Sequence, residues 1–165
     1  MRRLDKDKNL RPSILDRLLD DEPHLQVEPE VSRHQRIREL RNSVRRDLEA
    51  LLNSRYRLVS PPDEFTELQH SLVNYGLPDL ATVNITDIDK KRAFIRDLER
   101  VLKIYEPRFK SVKVSYQDNK DKTDRTLRFR IDATLYADPT PEVVIFDSVL
   151  EPASRMVNVE EANHG

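Results

Sequence analysis

Glu106, Pro107 and Arg108 stand together where an amphipathic run of helical period gives way to an alternating one. A carboxylate and a guanidinium two residues apart can form a charge-assisted pair, or they can offer an anion and a cation to another molecule. The residue before a proline is biased out of the α region, so Glu106 is expected to leave the helix and Arg108 to lie extended beyond it. At a helix C-terminus a carboxylate faces the negative end of the macrodipole. Glu106 therefore needs a cation, and Arg108 or a partner's cation can supply it. Paired carboxylates also serve glycosidases, with Glu106 as the obvious proton donor. A glutamate beside an arginine is expected to be ionised, which is the opposite of what a general acid requires.

The other chemistry-bearing residues form no constellation. His24, His34, His70 and His164 fall in a linker, at a helix start, on a short helix and in the tail, without metal-ligand spacing. The chain has no cysteine and only two glycines, Gly76 and Gly165. Thiolate sites, disulfides, phosphate-cradling loops, dinucleotide fingerprints and nucleophile elbows are thereby removed. No catalytic residue, cofactor, metal or small-molecule substrate is expected.

Charge narrows the partners. Lysine and arginine number 29 against 30 acidic residues, a formal net charge of -1 in 165 residues. This balance argues against general affinity for nucleic acid or anionic membrane. Nowhere is there an apolar run long enough to span a bilayer, and no apolar segment follows the charged N-terminus, so a cytoplasmic location is expected.

The elements that position the Glu-Pro-Arg junction follow from periodicity. A short helix over Pro12 to Leu19, capped by Ser13, presents Ile14, Leu15, Leu18 and Leu19, and is too short to stand alone. It must dock on its own domain or on another protein. A long helix from about Ser32 to Asn53 carries Ile37, Leu40, Val44, Leu48 and Leu51 in one stripe. Its other faces hold six arginines, with Glu39, Asp47 and Glu49 interleaved and no stacking aromatics, which favours intrahelical pairs or an acidic protein partner over nucleic acid. A further helix is expected over Asp63 to Tyr75, ended by Gly76 at C′ with Leu77 packing back on Leu72. Another, capped by Thr86, buries Ile88, Phe94, Ile95, Leu98, Val101, Leu102 and Tyr105, and stops at Glu106.

Beyond the junction the period becomes two. Strands are expected around Val112 to Tyr116, Leu127 to Leu135, Val143 to Phe146 and Arg155 to Val159. The fold class is α+β, with helices on one face of a mainly antiparallel sheet of three to four strands. The domain organisation is an arm over 1–31, a single domain over 32–160 and a tail over 161–165. The short last strand, with Met156, Val157 and Val159, has an edge able to accept a strand from another chain.

Four strings occur in order: Ser13-Ile14-Leu15-Asp16-Arg17-Leu18; Arg45-Arg46-Asp47-Leu48-Glu49-Ala50-Leu51-Leu52-Asn53; Asn74-Tyr75-Gly76-Leu77-Pro78-Asp79; and Glu106-Pro107-Arg108. In these the chain resembles the TssE family, the baseplate wedge subunits of bacterial type VI secretion systems, and more broadly the small contractile-phage tail wedge proteins once labelled lysozyme-like. The resemblance implies a non-enzymatic structural subunit that binds other wedge subunits and connects the baseplate to contractile sheath proteins. It also implies a fold like the sheath's interlocking, or handshake, domain. Glu106, Pro107, Arg108, the N-terminal helix and the last strand would then be partner-binding. The older label suggests a peptidoglycan hydrolase instead, and the arginine-rich helix suggests a regulatory module that binds an acidic protein.

Overall fold

Each element is set by a local signal. In the computed structural model, which describes residues 14–18, 24, 32–55, 62, 64–69, 71–77, 87–119, 124, 126–137, 140–151 and 153–162, the elements begin with helix α1 (Ile14–Leu18). Helix α2 (Arg33–Asn53) follows, and the Ser32 hydroxyl at its N-cap accepts from the Gln35 N–H at 3.3 Å. That bond satisfies one of the donors a helix start leaves unpaired. The predicted stripe is the buried one: Leu40, Val44, Leu48 and Leu51 are core, joined by Leu52. Each fully buried side chain of this kind contributes about 1.5–3 kcal/mol of hydrophobic stabilisation.

The region expected as one helix over Asp63 to Tyr75 is broken into α3 (Thr66–Gln69) and a 3₁₀ turn (Leu72–Asn74). Gly76 follows the C-cap Tyr75 of that 3₁₀ turn, so it stands at C′ with positive φ as expected. Its φ of +111° and its approach to α2 both require glycine, because a Cβ would lie 2.6 Å from the Ser54 carbonyl oxygen. Leu77, however, does not pack on Leu72, which is 85% exposed; it is fully buried in the main core, and its N–H donates to the Ser54 carbonyl at 2.9 Å. The chain thus returns to the C-terminus of α2 instead of folding on itself.

Helix α4 (Ile88–Tyr105) is capped by Asp87, whose carboxylate accepts from the N–H groups of Asp89 and Lys90. The expected cap, Thr86, lies outside the described residues, as do Ser13 and Leu19. Phe94, Leu98, Val101 and Leu102 are buried, whereas Ile88 is 62% exposed and so stands clear of the face assigned to it.

Four strands follow: β1 (Phe109–Gln117), β2 (Leu127–Leu135), β3 (Glu142–Glu151) and β4 (Met156–Glu161). They form an antiparallel meander in the order β1-β2-β3-β4, so the class is α+β, as the alternation required. Strand β2 is buried at every second residue from Leu127 to Leu135. Opposite it, Phe146 pairs with Ile131, and the Phe94 ring meets Phe129 edge-on at 6.2 Å. Helix α4 lies against β1 and α2 against β4, so each helix flanks one edge of the sheet while covering its apolar face. The turn into β4 puts Arg155 at φ 57°, and the Arg55 guanidinium holds its carbonyl at 2.6 Å.

Candidate functional site: an ionic junction between two sheet edges

The Glu-Pro-Arg junction is closed on itself. Glu106 is the C-cap of α4, outside the helical region at φ -114° and ψ 83°, and its side chain is only 5% exposed. Pro107 is exposed, and the chain turns so that the Phe109 N–H reaches the Glu106 carbonyl at 3.1 Å. Arg108 then points back. Its Nε donates to Glu106 Oε1 at 2.6 Å and its Nη2 to Oε2 at 2.5 Å, a bidentate fork, while its backbone N–H also reaches Oε1 at 3.1 Å. The cation at the negative end of α4 is therefore the chain's own.

Arg108 carries the junction further. Its Nη2 donates to Asp47 Oδ2 at 2.7 Å and its Nη1 to the Ser43 hydroxyl at 3.0 Å, both on α2. Ser43 in turn donates to Asp16 Oδ2 of α1 at 2.5 Å, and Arg46 pairs with the other Asp16 oxygen. One chain of polar contacts thus joins α1, α2, the end of α4 and the start of β1. Burial pulls the Arg108 pKa down, but the hydrogen bond and charge of Glu106, then Asp47, outweigh it and hold the guanidinium above its ordinary value. Tyr75 beside the cluster is raised, first by burial and then by the charges of Asp47 and Glu106. Its ring meets Tyr105 edge-on at 5.3 Å.

The α1 helix is held by Asp16 while two of its leucines face out: Leu15 is 55% and Leu18 75% exposed. Ile14 begins the helix, and Leu19 lies outside the described residues. In β4, Met156 is 54% exposed, but Val157 and Val159 point into the core. Main-chain groups on the outer side of β4 are met by α2. The Asn53 amide donates to the Val157 carbonyl at 2.9 Å and accepts from the Val157 N–H at 2.8 Å. Arg45 reaches the Val159 carbonyl at 3.4 Å, and Arg41 joins Glu142 and Glu161 at the sheet's end. Three of the six arginines that gave α2 its basic face are therefore spent within the chain.

On the opposite edge α4 makes one such contact, Glu99 accepting from the Val114 N–H at 3.4 Å. The Lys103 hydrogen bond lowers the Glu99 pKa, burial opposes it, and the Val114 N–H lowers it further, for a net value below the usual one.

Sequence reasoning named the Glu-Pro-Arg pair and missed its anchors. Ser43 and Asp47 follow Leu40 at spacings of three and four, so they flank the apolar stripe, and that spacing was the available signal. Asn53 and Glu99 had none, because their partners are backbone groups of strands distant in sequence. Among the described residues no group of three or more histidine, aspartate or glutamate side chains could hold a metal ion, and no helix is long and apolar enough to cross a membrane.

No curated protein and no solved structure matches the chain significantly. A family model described as baseplate wedge protein gp25 matches residues 38–140, which run from α2 through β2 and contain the whole Glu106/Arg108/Asp47/Ser43 cluster. The chain belongs to the baseplate wedge protein gp25 family, the family of the type VI secretion subunit TssE, and its role is structural, in a phage-tail-like baseplate.

Proposed function

We propose that this protein is the TssE-type subunit of a type VI secretion baseplate: a non-enzymatic adaptor that binds other wedge subunits and connects the baseplate to contractile sheath proteins, starting sheath polymerisation from the cytoplasmic side. The observation that carries the reading is the sheet itself. It is an open meander whose edges are flanked by helices and, among the described residues, by no further strand, so main-chain groups of β1 remain for a neighbour. A handshake-like domain, in which neighbouring subunits complete each other's sheets, is built this way.

In this reading the arm over 1–31 carries α1, whose Leu15 and Leu18, with Ile14 and Leu19, bind a wedge neighbour, while 32–160 form the domain and 161–165 a tail. At the β4 rim Met156 is the exposed residue a partner meets, while the Val157 main-chain groups and the Val159 carbonyl are held by α2. Glu106, Pro107 and Arg108 act by holding the α2–α4–β1 corner in one shape, and Pro107, the exposed member, is the part a partner touches. Hydrolase chemistry finds no support in Glu106, whose two carboxylate oxygens are both taken by Arg108. The family match and the use of Arg41, Arg45 and Arg46 in internal contacts favour the adaptor over a regulatory module.

The test is a pull-down at moderate salt from a cell that makes a contractile apparatus, beside incubation of the pure protein with cell-wall sacculi. Wedge and sheath components should come down together and no glycan should be released. Retrieval without either class of component, or sustained glycan release, overturns the proposal.

A further inference from the structure

The sheet's two edges are not equivalent. At β4 both main-chain groups of Val157 are occupied by Asn53, and the Val159 carbonyl by Arg45. At β1 the register with β2 is regular from Val112 to Gln117, and Glu99 shows that the Val114 N–H points away from β2. Antiparallel alternation then sends the N–H and C=O groups of Val112, Val114 and Tyr116 outward together. Apart from the long Glu99 bond to Val114, none of these has a partner among the described residues. Beside them a groove of about 630 Å3 runs between the edge and α4, lined by Ile88, Lys91, Ile95, Arg96, Val114 and Tyr116. Ile88 is 62% exposed there, beside the partly buried Ile95, on a helix whose Phe94, Leu98, Val101 and Leu102 are core. A second recess of about 320 Å3 shares Arg96 and Glu99 and adds Arg100 and Lys103.

Cations outnumber anions along this edge. Lys91, Arg92, Arg96, Arg100 and Lys103 line the two recesses against Glu99 and Asp118, with Arg92 and Arg100 paired to Asp89 and Asp97 on the same helix. Lys113 adds a further cation on the exposed face of β1 itself. Lys103 is engaged by Glu99, and Lys91 donates to the Tyr116 hydroxyl at 3.0 Å while lying over its ring. Arg96, at the centre, has no ion-pair partner among the described residues. An incoming strand would direct alternate residues toward α4 and toward the Lys113 face, and carboxylates are favoured on both.

We infer that β1, not β4, is the strand-accepting edge, and that its occupant is an extended segment of a partner carrying apolar and acidic residues on both its faces: toward α4 apolar side chains settle against Ile88 and Ile95 and carboxylates meet Arg96 and Lys91, and on the other side a carboxylate meets Lys113. The inference rests on the assembly reading only for where such a segment comes from. Strand β4 of a second copy is not the occupant, because the main-chain groups it would need are held by α2.

The probe is a capped ten-residue peptide repeating Val-Val-Glu-Glu, which puts both residue types on each face of the strand, titrated into the isotope-labelled full chain, with the valine–lysine counterpart as control. Binding should shift and protect the amides of Val112, Val114 and Tyr116, weaken as salt rises, and exceed the lysine peptide's by roughly tenfold or more. Arg96→Glu, at an exposed position without a partner, leaves the fold intact and should lower affinity by about tenfold. No binding at millimolar peptide, shifts centred on β4, equal binding of the lysine peptide, or concentration-dependent dimerisation would each overturn the inference. The titration needs no baseplate, so its failure leaves the adaptor reading to another surface, and failure of the pull-down leaves the groove's preference standing.

Discussion

Replacing Arg108 with methionine isolates what the ionic junction contributes. The Glu106 carboxylate is 5% exposed, and without the guanidinium its one remaining donor among the described residues is the backbone N–H of residue 108, at 3.1 Å. Stranding a buried charge costs about 3–5 kcal/mol. The Arg108 side chain is itself 24% exposed, so water can reach the vacated space, and the expected loss lies at the lower end, about 3 kcal/mol. Asp47, a third exposed, resolvates with little penalty. Glu106→Leu combined with Arg108→Met removes the charge together with its partner, and such exchanges are often near neutral, so the double variant should lose only about 1 kcal/mol and be more stable than Arg108→Met alone. In urea, with an m-value of about 2 kcal/mol/M, the single change should lower the midpoint by roughly 1.5 M. A loss below about 0.5 kcal/mol for Arg108→Met, or strictly additive single and double changes, would refute the assignment of this pair as the cluster's core.

Four further outcomes follow from the geometry. Reversing the pair by Glu106→Arg with Arg108→Glu should not restore stability, because the new carboxylate faces Asp47, and adding Asp47→Lys should recover part of the loss in urea midpoint. Asn53→Ala should cost about 1–2 kcal/mol and speed amide exchange at Val157, since two main-chain bonds are lost; unchanged exchange there would contradict the contact. Gly76→Ala should cost about 1–3 kcal/mol, as it meets both a positive φ and the Ser54 carbonyl, and an unaltered melting temperature would refute the close approach. The folded-state pKa of Glu99 lies below its ordinary 4.5, so its contribution is complete above that value and is lost as pH falls through the lower one. Glu99→Gln should therefore be destabilised at neutral pH and converge on the parent in strong acid, and a gap that widens on acidification would contradict this.

Periodicity made most of the architecture legible. The α2 stripe, the α4 face and the alternation of β2 each repeat over enough residues to outweigh local noise, and the antiparallel sheet followed from short connections. What stayed hidden depended on contacts between distant segments. Gly76 was legible as the residue after a helical C-cap, but its close approach to the Ser54 carbonyl of another element was not. Ile88 was placed inside by helical spacing, but it is 62% exposed and opens onto the groove shared with Tyr116 and Asp118 instead. The Glu106–Arg108 pair could be guessed from adjacency, whereas its tether to Asp47, Ser43 and Asp16 could not, because those residues lie 61, 65 and, through Ser43, a further 27 positions away. The state of the sheet edges was the least visible feature, since it turns on single amide and carboxylate side chains meeting backbone.

The adaptor claim is tested most directly by watching labelled sheath grow in cells with and without this chain. The account predicts that assembled sheaths vanish when the chain is absent and return when it is supplied. Sheaths of normal number and length in its absence would contradict it.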